Sequence, residues 1–232
     1  MEDGIRPAGT GMAGATFWSD RSKKKEFAVS SAPVTRDAPA KDAQARDSFG
    51  KPFLTDVKTL RDRARTHLSS GVVTTTYGGD VKKTIDILQT ILATEIVCVL
   101  RYTMHAVTAT GISSEAVKAE FAQHAKEEQA HMMAVAERID QLGGTPNFNP
   151  EGLATRSASQ YAEGENLLDM IKENLIAERL AVDHYRELIR YFGDDDPSTR
   201  VMLEGILSVE EEHATDMHDL LVAHEGKPLL ER

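Results

Sequence analysis

Hydrophobic residues in this chain recur three and four positions apart, and that period sorts it into a tail, one short helix and four long ones. Phe53, Val57, Leu60, Ala64 and Leu68 follow helical spacing in a short helix predicted over about 55–69, with Thr55 as its N-cap and Gly71 as its stop. Residues 71–79, with three consecutive threonines and Gly78-Gly79, read as a connector. The first long helix is predicted from about Asp80 to Thr110, before Gly111, and the second from about Ser113 to Leu142, before Gly143-Gly144. The third runs from about Glu165 to Phe192, before Gly193. The fourth opens with Asp196 as N-cap and Pro197 at the first helical position, and ends near Gly226. Each long helix has about 28 to 31 residues and is therefore roughly 45 Å long.

The links between helices set the topology. The first-to-second and third-to-fourth links are short, which makes each pair an antiparallel hairpin. The link from Gly143 to Gly164 has about 20 residues and contains Pro146 and Pro150. Spanning roughly 45 Å in extended chain takes about 14 residues, so this link can return along the whole bundle. The expected fold is all-α, a four-helix bundle with one long crossover over 80–232. An extension over 1–79 precedes it, with a flexible arm at 1–50 that is rich in Gly, Ala, Ser, Pro, Lys and Asp and has no lasting period.

Charge is divided unevenly. Up to Lys51 nine basic residues stand against seven acidic ones, or +2, and the remainder has 18 against 30, or -12, giving the net -10. That balance argues against bulk attraction to nucleic acid or an anionic membrane and favours cations. Lys23-Lys24-Lys25 reads as part of a solvated tail rather than a nucleic-acid hook. No apolar run approaches the length of a membrane span. The start, Met-Glu-Asp-Gly, lacks the features of a secretory signal, and the single cysteine, Cys98, excludes an internal disulfide framework. A cytoplasmic, reduced setting is the expectation.

Glu95 brings in the chemistry, because Ile91, Leu92, Ile96, Val97, Val99 and Leu100 surround it. A lone acid in so apolar a helix is either paired or a ligand. It belongs to an internal repeat with a period of 82 to 83 residues. Glu95 is followed by Tyr102 and then by Glu128-x-x-His131; Glu178 is followed by Tyr185 and then by Glu210-x-x-His213. Residues three apart share a helix face, so a carboxylate and an imidazole at that spacing can grip one metal ion together. Each tyrosine comes seven residues, two turns, after its glutamate and shares its face. All four glutamates lie near the middle of their helices, so a bundle sets them at one height. Four carboxylates facing one another repel unless cations or protons intervene, and four ionised glutamates balance two Fe2+. Glu95, Glu128, His131, Glu178, Glu210 and His213 are thus candidate ligands, and they form the set described for di-iron carboxylate bundles. His67, His105, His124, His184, His218 and His224 fall outside the pattern and read as surface or structural. Cys98 reads as a small buried apolar residue.

These motifs resemble the ferritin-like superfamily, and within it bacterioferritin. The residues that carry the likeness are Ala93-Thr94-Glu95-Ile96-Val97 with Tyr102, Lys126 to His131, Ala177-Glu178-Arg179-Leu180, and Glu210 to His213. The similarity covers roughly 80–224. It implies Glu95 and His131 as terminal ligands of one iron, Glu178 and His213 of the other, Glu128 and Glu210 as bridges, and Tyr102 close beside the centre. It further implies two iron ions per subunit and catalysis by these residues. The activity implied is ferroxidase, with Fe2+ oxidised by O2 or H2O2 and the ferric product held in a homo-oligomeric cage.

Three departures refine that expectation. Bacterioferritins place the haem-binding methionine directly after the second-helix glutamate, and this chain has Gln129 there, so haem is not expected. Too few residues separate His213 from Gly226 for the family's fifth helix, which lines an axis of the 24-subunit cage. The extension of nearly 80 residues is absent from ordinary bacterioferritins. A 12-subunit cage, as in Dps-like relatives, fits better than 24. The alternatives are a rubrerythrin-like di-iron peroxidase, disfavoured by the lack of a Cys-x-x-Cys, and a Dps-like DNA-protecting protein, disfavoured by the acidic total.

Overall fold

The computed structural model describes residues 55–68, 71–111 and 114–225. The arm over 1–50 with Lys23-Lys24-Lys25, and Phe53, Ser113 and Gly226, lie outside the described residues. Six helices occur among the described residues: α1 (Val57–Thr66), α2 (Val81–Thr108), α3 (Ser114–Gln141), α4 (Leu153–Arg156), α5 (Leu167–Phe192) and α6 (Pro197–Glu225).

Each long helix starts or stops where a specific backbone need is met. The Asp80 carboxylate accepts from Lys83 N at 3.1 Å and opens α2. Asn166 does the same for α5 through Asp169 N, at 3.1 Å. Asp196 accepts from Thr199 N at 3.0 Å, with Pro197 in the first turn of α6, where a missing N–H costs nothing. Gly143 ends α3 at φ +83, and the Gly144 N–H reaches back to Ile139 O at 2.9 Å. That left-handed step is one for which glycine carries no steric penalty.

Two differences from the expected elements have local causes. Asp56, not Thr55, caps α1: its carboxylate accepts from Thr59 N at 3.0 Å, and an anion at a helix N-terminus also gains from the helix dipole. The helix closes at His67, before Gly71 is reached. None of its residues is buried, and Val57 and Leu60 remain exposed. The second difference is α4, a single turn inside the crossover, entered through Gly152 at φ +67.

Apolar packing reveals how the helices run. One cluster joins Leu88, Ile91 and Leu92 of α2, Val135 and Ile139 of α3, Leu188 and Phe192 of α5, and Leu203 and Ile206 of α6. The other joins Tyr102 of α2, Val117 and Phe121 of α3, Ile171 and Leu175 of α5, and Met217 of α6. The first half of α2 therefore lies level with the second halves of α3 and α5 and the first half of α6. α2–α3 and α5–α6 are antiparallel hairpins, while α3 and α5 are parallel. The chain must then travel the whole bundle between α3 and α5, as its long crossover does.

The crossover runs beside α2 and is fastened in register. Gln89 donates to Thr145 O at 2.8 Å and accepts from Asn147 N at 3.0 Å. Thr94 Oγ1 accepts from Ala158 N at 3.0 Å. Arg101 donates to Ser159 Oγ at 2.9 Å and Gln160 O at 3.1 Å, and His105 Nε2 meets Glu163 O at 2.9 Å. Buried Asn174 of α5 completes this spine, accepting from Arg101 Nε and bonding His105 Nδ1, each at 2.9 Å. These bonds satisfy loop backbone that would otherwise be costly against a packed helix.

Candidate metal centre

Between the two apolar clusters the bundle core turns ionisable. Glu95 on α2, Glu128 and His131 on α3, Glu178 on α5, and Glu210 and His213 on α6 are all buried. Each sits where its helix passes from one apolar cluster to the other, so the residues flanking it fix its height. The structure brings all six together. Ligand-capable atoms of Glu95, Glu128, His131 and Glu210 lie within 4.8 Å of one another, and so do those of Glu128, Glu178, Glu210 and His213. Glu128 and Glu210 belong to both groups.

Both imidazoles turn Nδ1 inward. His131 Nδ1 lies 2.9 Å from Glu210 Oε1, 3.5 Å from Glu128 Oε2 and 3.7 Å from Glu95 Oε2. His213 Nδ1 lies 3.6 Å from both Glu128 Oε1 and Glu210 Oε2. On its far side His213 Nε2 meets Glu127 Oε2 at 2.9 Å, and Glu127 also accepts from Gln123 at 2.7 Å. A carboxylate on the outer nitrogen fixes the ring orientation and leaves the inner nitrogen free as a ligand.

The tyrosines cross over. Tyr102 donates to Glu178 Oε1 at 2.5 Å, and Tyr185 donates to Glu95 Oε1. One oxygen of each outer glutamate is thereby occupied. Glu95 Oε2, both oxygens of Glu128, both oxygens of Glu210, and Nδ1 of His131 and His213 have no hydrogen-bond partner although they are buried. Orphaned buried polar atoms are costly and require a cause. Here they converge on two adjacent points, which is what a pair of cations fits.

Electrostatics in the metal-free centre follows from this crowding. Burial, then the charge of Glu128, raises Glu95 well above the usual carboxylate range, and burial with Glu210 does the same to Glu178. Burial would also raise Glu128 and Glu210, but the two histidines outweigh it and hold both low. Burial alone would lower the histidines, yet the facing glutamates push His131 up to about 12 and His213 up to about 11. Burial raises the Cys98 thiol well above its ordinary value, which keeps it from thiolate chemistry.

Tyr185, the counterpart of Tyr102, stands where the repeat marks it. Other residues at the centre are not legible in the sequence. Glu127 carries no signal beyond adjoining Glu128. His124 reads in the sequence as surface or structural, and the structure makes it the latter: it is buried and stacks on His213 with ring centroids 3.9 Å apart and planes at 20°. Its only sequence signal is standing one turn before Glu128. Gln129, at the position where the bacterioferritin likeness expects methionine, is exposed on α3.

Comparison with known proteins agrees with this geometry. Residues 85–225 match the ferritin-like domain family. The chain is 33% identical over 154 residues to the DNA protection during starvation protein of Pyrococcus furiosus, covering 65% of this chain and 82% of that one. It is similar in structure to a dodecameric thioferritin, the bacterioferritin-related protein of Bacteroides fragilis, with 29% identity, a TM-score of 0.61, and coverage of 64% of this chain and 89% of the other. A ferritin-like di-iron carboxylate protein of Bacillus anthracis matches with 26% identity, a TM-score of 0.54, and coverage of 61% and 96%.

Proposed function

We propose, on the premise that the chain belongs to the ferritin-like domain family, that it is an iron-storage ferroxidase. The observation that carries this reading is the pair of buried quartets sharing Glu128 and Glu210, with their inward atoms left without hydrogen bonds. Glu95 and His131 hold one Fe2+, Glu178 and His213 hold the other, and Glu128 and Glu210 bridge them. Two adjacent Fe2+ can together give up two electrons to O2 or H2O2, becoming Fe3+. The four ionised glutamates balance the incoming charge. Tyr102 and Tyr185 anchor the outer glutamates, and Glu127 orients His213. The apolar clusters above and below exclude water and keep the carboxylates close.

The ferric product is stored in a cage of identical subunits, and twelve is the number proposed. Support comes from the Bacteroides fragilis relative, which is described as dodecameric. Among the described residues no helix is long and apolar enough to cross a membrane. A cytoplasmic setting remains part of the proposal. Gln129 gives haem no thioether, so no haem is assigned.

The test is an anaerobic Fe2+ titration followed by rapid mixing with O2 or H2O2. At least two Fe2+ bound per chain, and fast oxidation of two of them, are expected. Saturation at one, or oxidation no faster than free Fe2+, would rule the reading out. The Pyrococcus furiosus relative, a DNA protection during starvation protein, carries a second reading, protection of DNA. A gel shift at two salt concentrations addresses it, because binding through lysines must weaken steeply with salt.

A further inference from the structure

Outside the four-glutamate centre, α3 and α6 bring three more metal-ligating side chains together. His124 Nε2 lies 3.3 Å from Glu120 Oε1 and 3.4 Å from Asp216 Oδ2. The three residues offer ligand atoms that all lie within 4.8 Å of one another. None of them is among the six residues of the centre. Glu120 stands two turns before Glu128, and Asp216 one turn after His213, so the group lies along the same two helices but further toward their partly exposed flank.

The spacing is telling. An N–H···O bond prefers about 2.7 to 3.2 Å. Ligand atoms bound at about 2.0 to 2.2 Å around one tetrahedral cation stand roughly 3.3 to 3.6 Å apart. The contact to Asp216 is also a long hydrogen bond, and both distances at His124 fall within the second range. Charge agrees: among the described residues neither Glu120 nor Asp216 pairs with a lysine or arginine, and His124 is the ion-pair partner of both.

His124 supplies the independent observation. Its side chain is 1% exposed, and its Nδ1 is buried without a hydrogen-bond partner. The ring is clamped flat on His213 and edge-on to Tyr102, with centroids 5.2 Å apart and planes at 79°. That clamp aims Nε2 at the two carboxylates. A neutral ring with its proton on Nε2 leaves Nδ1 bare, and one with its proton on Nδ1 turns a lone pair toward two anions. A cation on Nε2 removes the second conflict.

We propose that Glu120, His124 and Asp216 form a further divalent-cation site, distinct from the central pair and half open to solvent. Two carboxylates and an imidazole suit Fe2+, Co2+ or Zn2+ rather than Mg2+ or Ca2+, which prefer oxygen alone. Solvent completes the coordination, because the Glu120 and Asp216 side chains are each 39% exposed. If the centre acts as proposed above, this site lies one stacked ring from His213 and holds Fe2+ on its way inward.

The full chain is dialysed against micromolar Co2+, and crystals grown with Co2+ are measured at the cobalt edge. A peak among Glu120, His124 and Asp216 is expected. The E120Q/D216N variant loses that peak, binds one Co2+ per chain fewer than the parent, and keeps the parent's metal-free thermal midpoint. No peak there while the central positions are filled overturns the site. Retention of the same stoichiometry by the double variant does so too. A peak there with the four-glutamate centre empty upholds this site and removes the proposed function instead.

Discussion

Tyr102 donates its phenolic hydrogen to Glu178, 76 positions away, although Glu95 is the glutamate that precedes it on its own helix. Tyr185 returns the exchange to Glu95, 90 positions away. The two α-hairpins are therefore tied through the centre they jointly form. Each bond takes one oxygen of an outer glutamate and leaves the other to face inward. Glu128 and Glu210 receive no such bond and keep both oxygens free. The outer and bridging roles proposed for the four glutamates follow from that difference.

Replacing either tyrosine tests the tie. Tyr102→Phe and Tyr185→Phe should each lower divalent-metal affinity by about 10- to 100-fold, the usual effect of losing an orienting outer partner. Helix content should not change, since the ring still packs. Equilibrium dialysis with Co2+ measures this, and unchanged affinity in both variants would mean the phenols do not position the carboxylates.

The bridges should matter more than the outer ligands. Glu128→Ala or Glu210→Ala removes a shared ligand from both positions, so rapid Fe2+ oxidation should vanish while circular dichroism stays helical. Glu95→Ala should impair mainly one position and leave one Fe2+ bound at the four-glutamate centre. Normal initial oxidation rates in both bridge variants would defeat the di-iron reading.

Metal binding should release protons. At pH 7 the metal-free centre holds two imidazolium ions, His131 and His213, because their values are pushed up to about 12 and 11. Burial and neighbouring charge also raise Glu95 and Glu178 well above the usual carboxylate range, so both hold a proton more readily than an ordinary glutamate. Ligation needs neutral imidazoles and ionised glutamates, so at least the two imidazolium protons must leave on loading. Protons leave on binding, so affinity must rise with pH. Calorimetry with Zn2+ in buffers of different ionisation enthalpy reads the release, and a heat that is the same in every buffer would contradict it.

Asp196 is the predicted weak point for stability. It caps α6, accepts from Tyr77 at 2.8 Å, and is paired with Arg138 at 2.8 Å while buried. Asp196→Ala removes a cap and the only carboxylate paired with the mostly buried Arg138 guanidinium among the described residues, which should cost about 3 kcal/mol. Urea denaturation of the metal-free protein gives the number, and a loss below about 1 kcal/mol, the worth of the cap alone, would show the Arg138 pairing to be dispensable.

The extension is proposed as an assembly element. α1 keeps Val57 and Leu60 exposed, so its apolar face is not buried by the described part of its own chain. Deleting 1–50 should leave the cage intact, whereas deleting 1–72 should weaken it. Light scattering after size exclusion decides, and a parent mass with an unchanged thermal midpoint in the longer truncation would refute the role.

The sequence by itself determined the four long helices, their hairpin pairing and the six inward residues. Period, caps and glycine stops are local properties of the chain, and the repeat of Glu-x6-Tyr with Glu-x-x-His writes the centre twice in one dimension. Tertiary structure alone decided what those residues do to one another. The exchange of Tyr102 and Tyr185 between hairpins, the Glu127 bond to His213, and the stacking of His124 all depend on which helix faces which. So does the fastening of the crossover by Arg101, His105 and Asn174, three polar residues with no periodic signature. A helical period places a side chain on a face. The partner across that face comes from another helix tens of residues away, and only the packed bundle sets the distance between them.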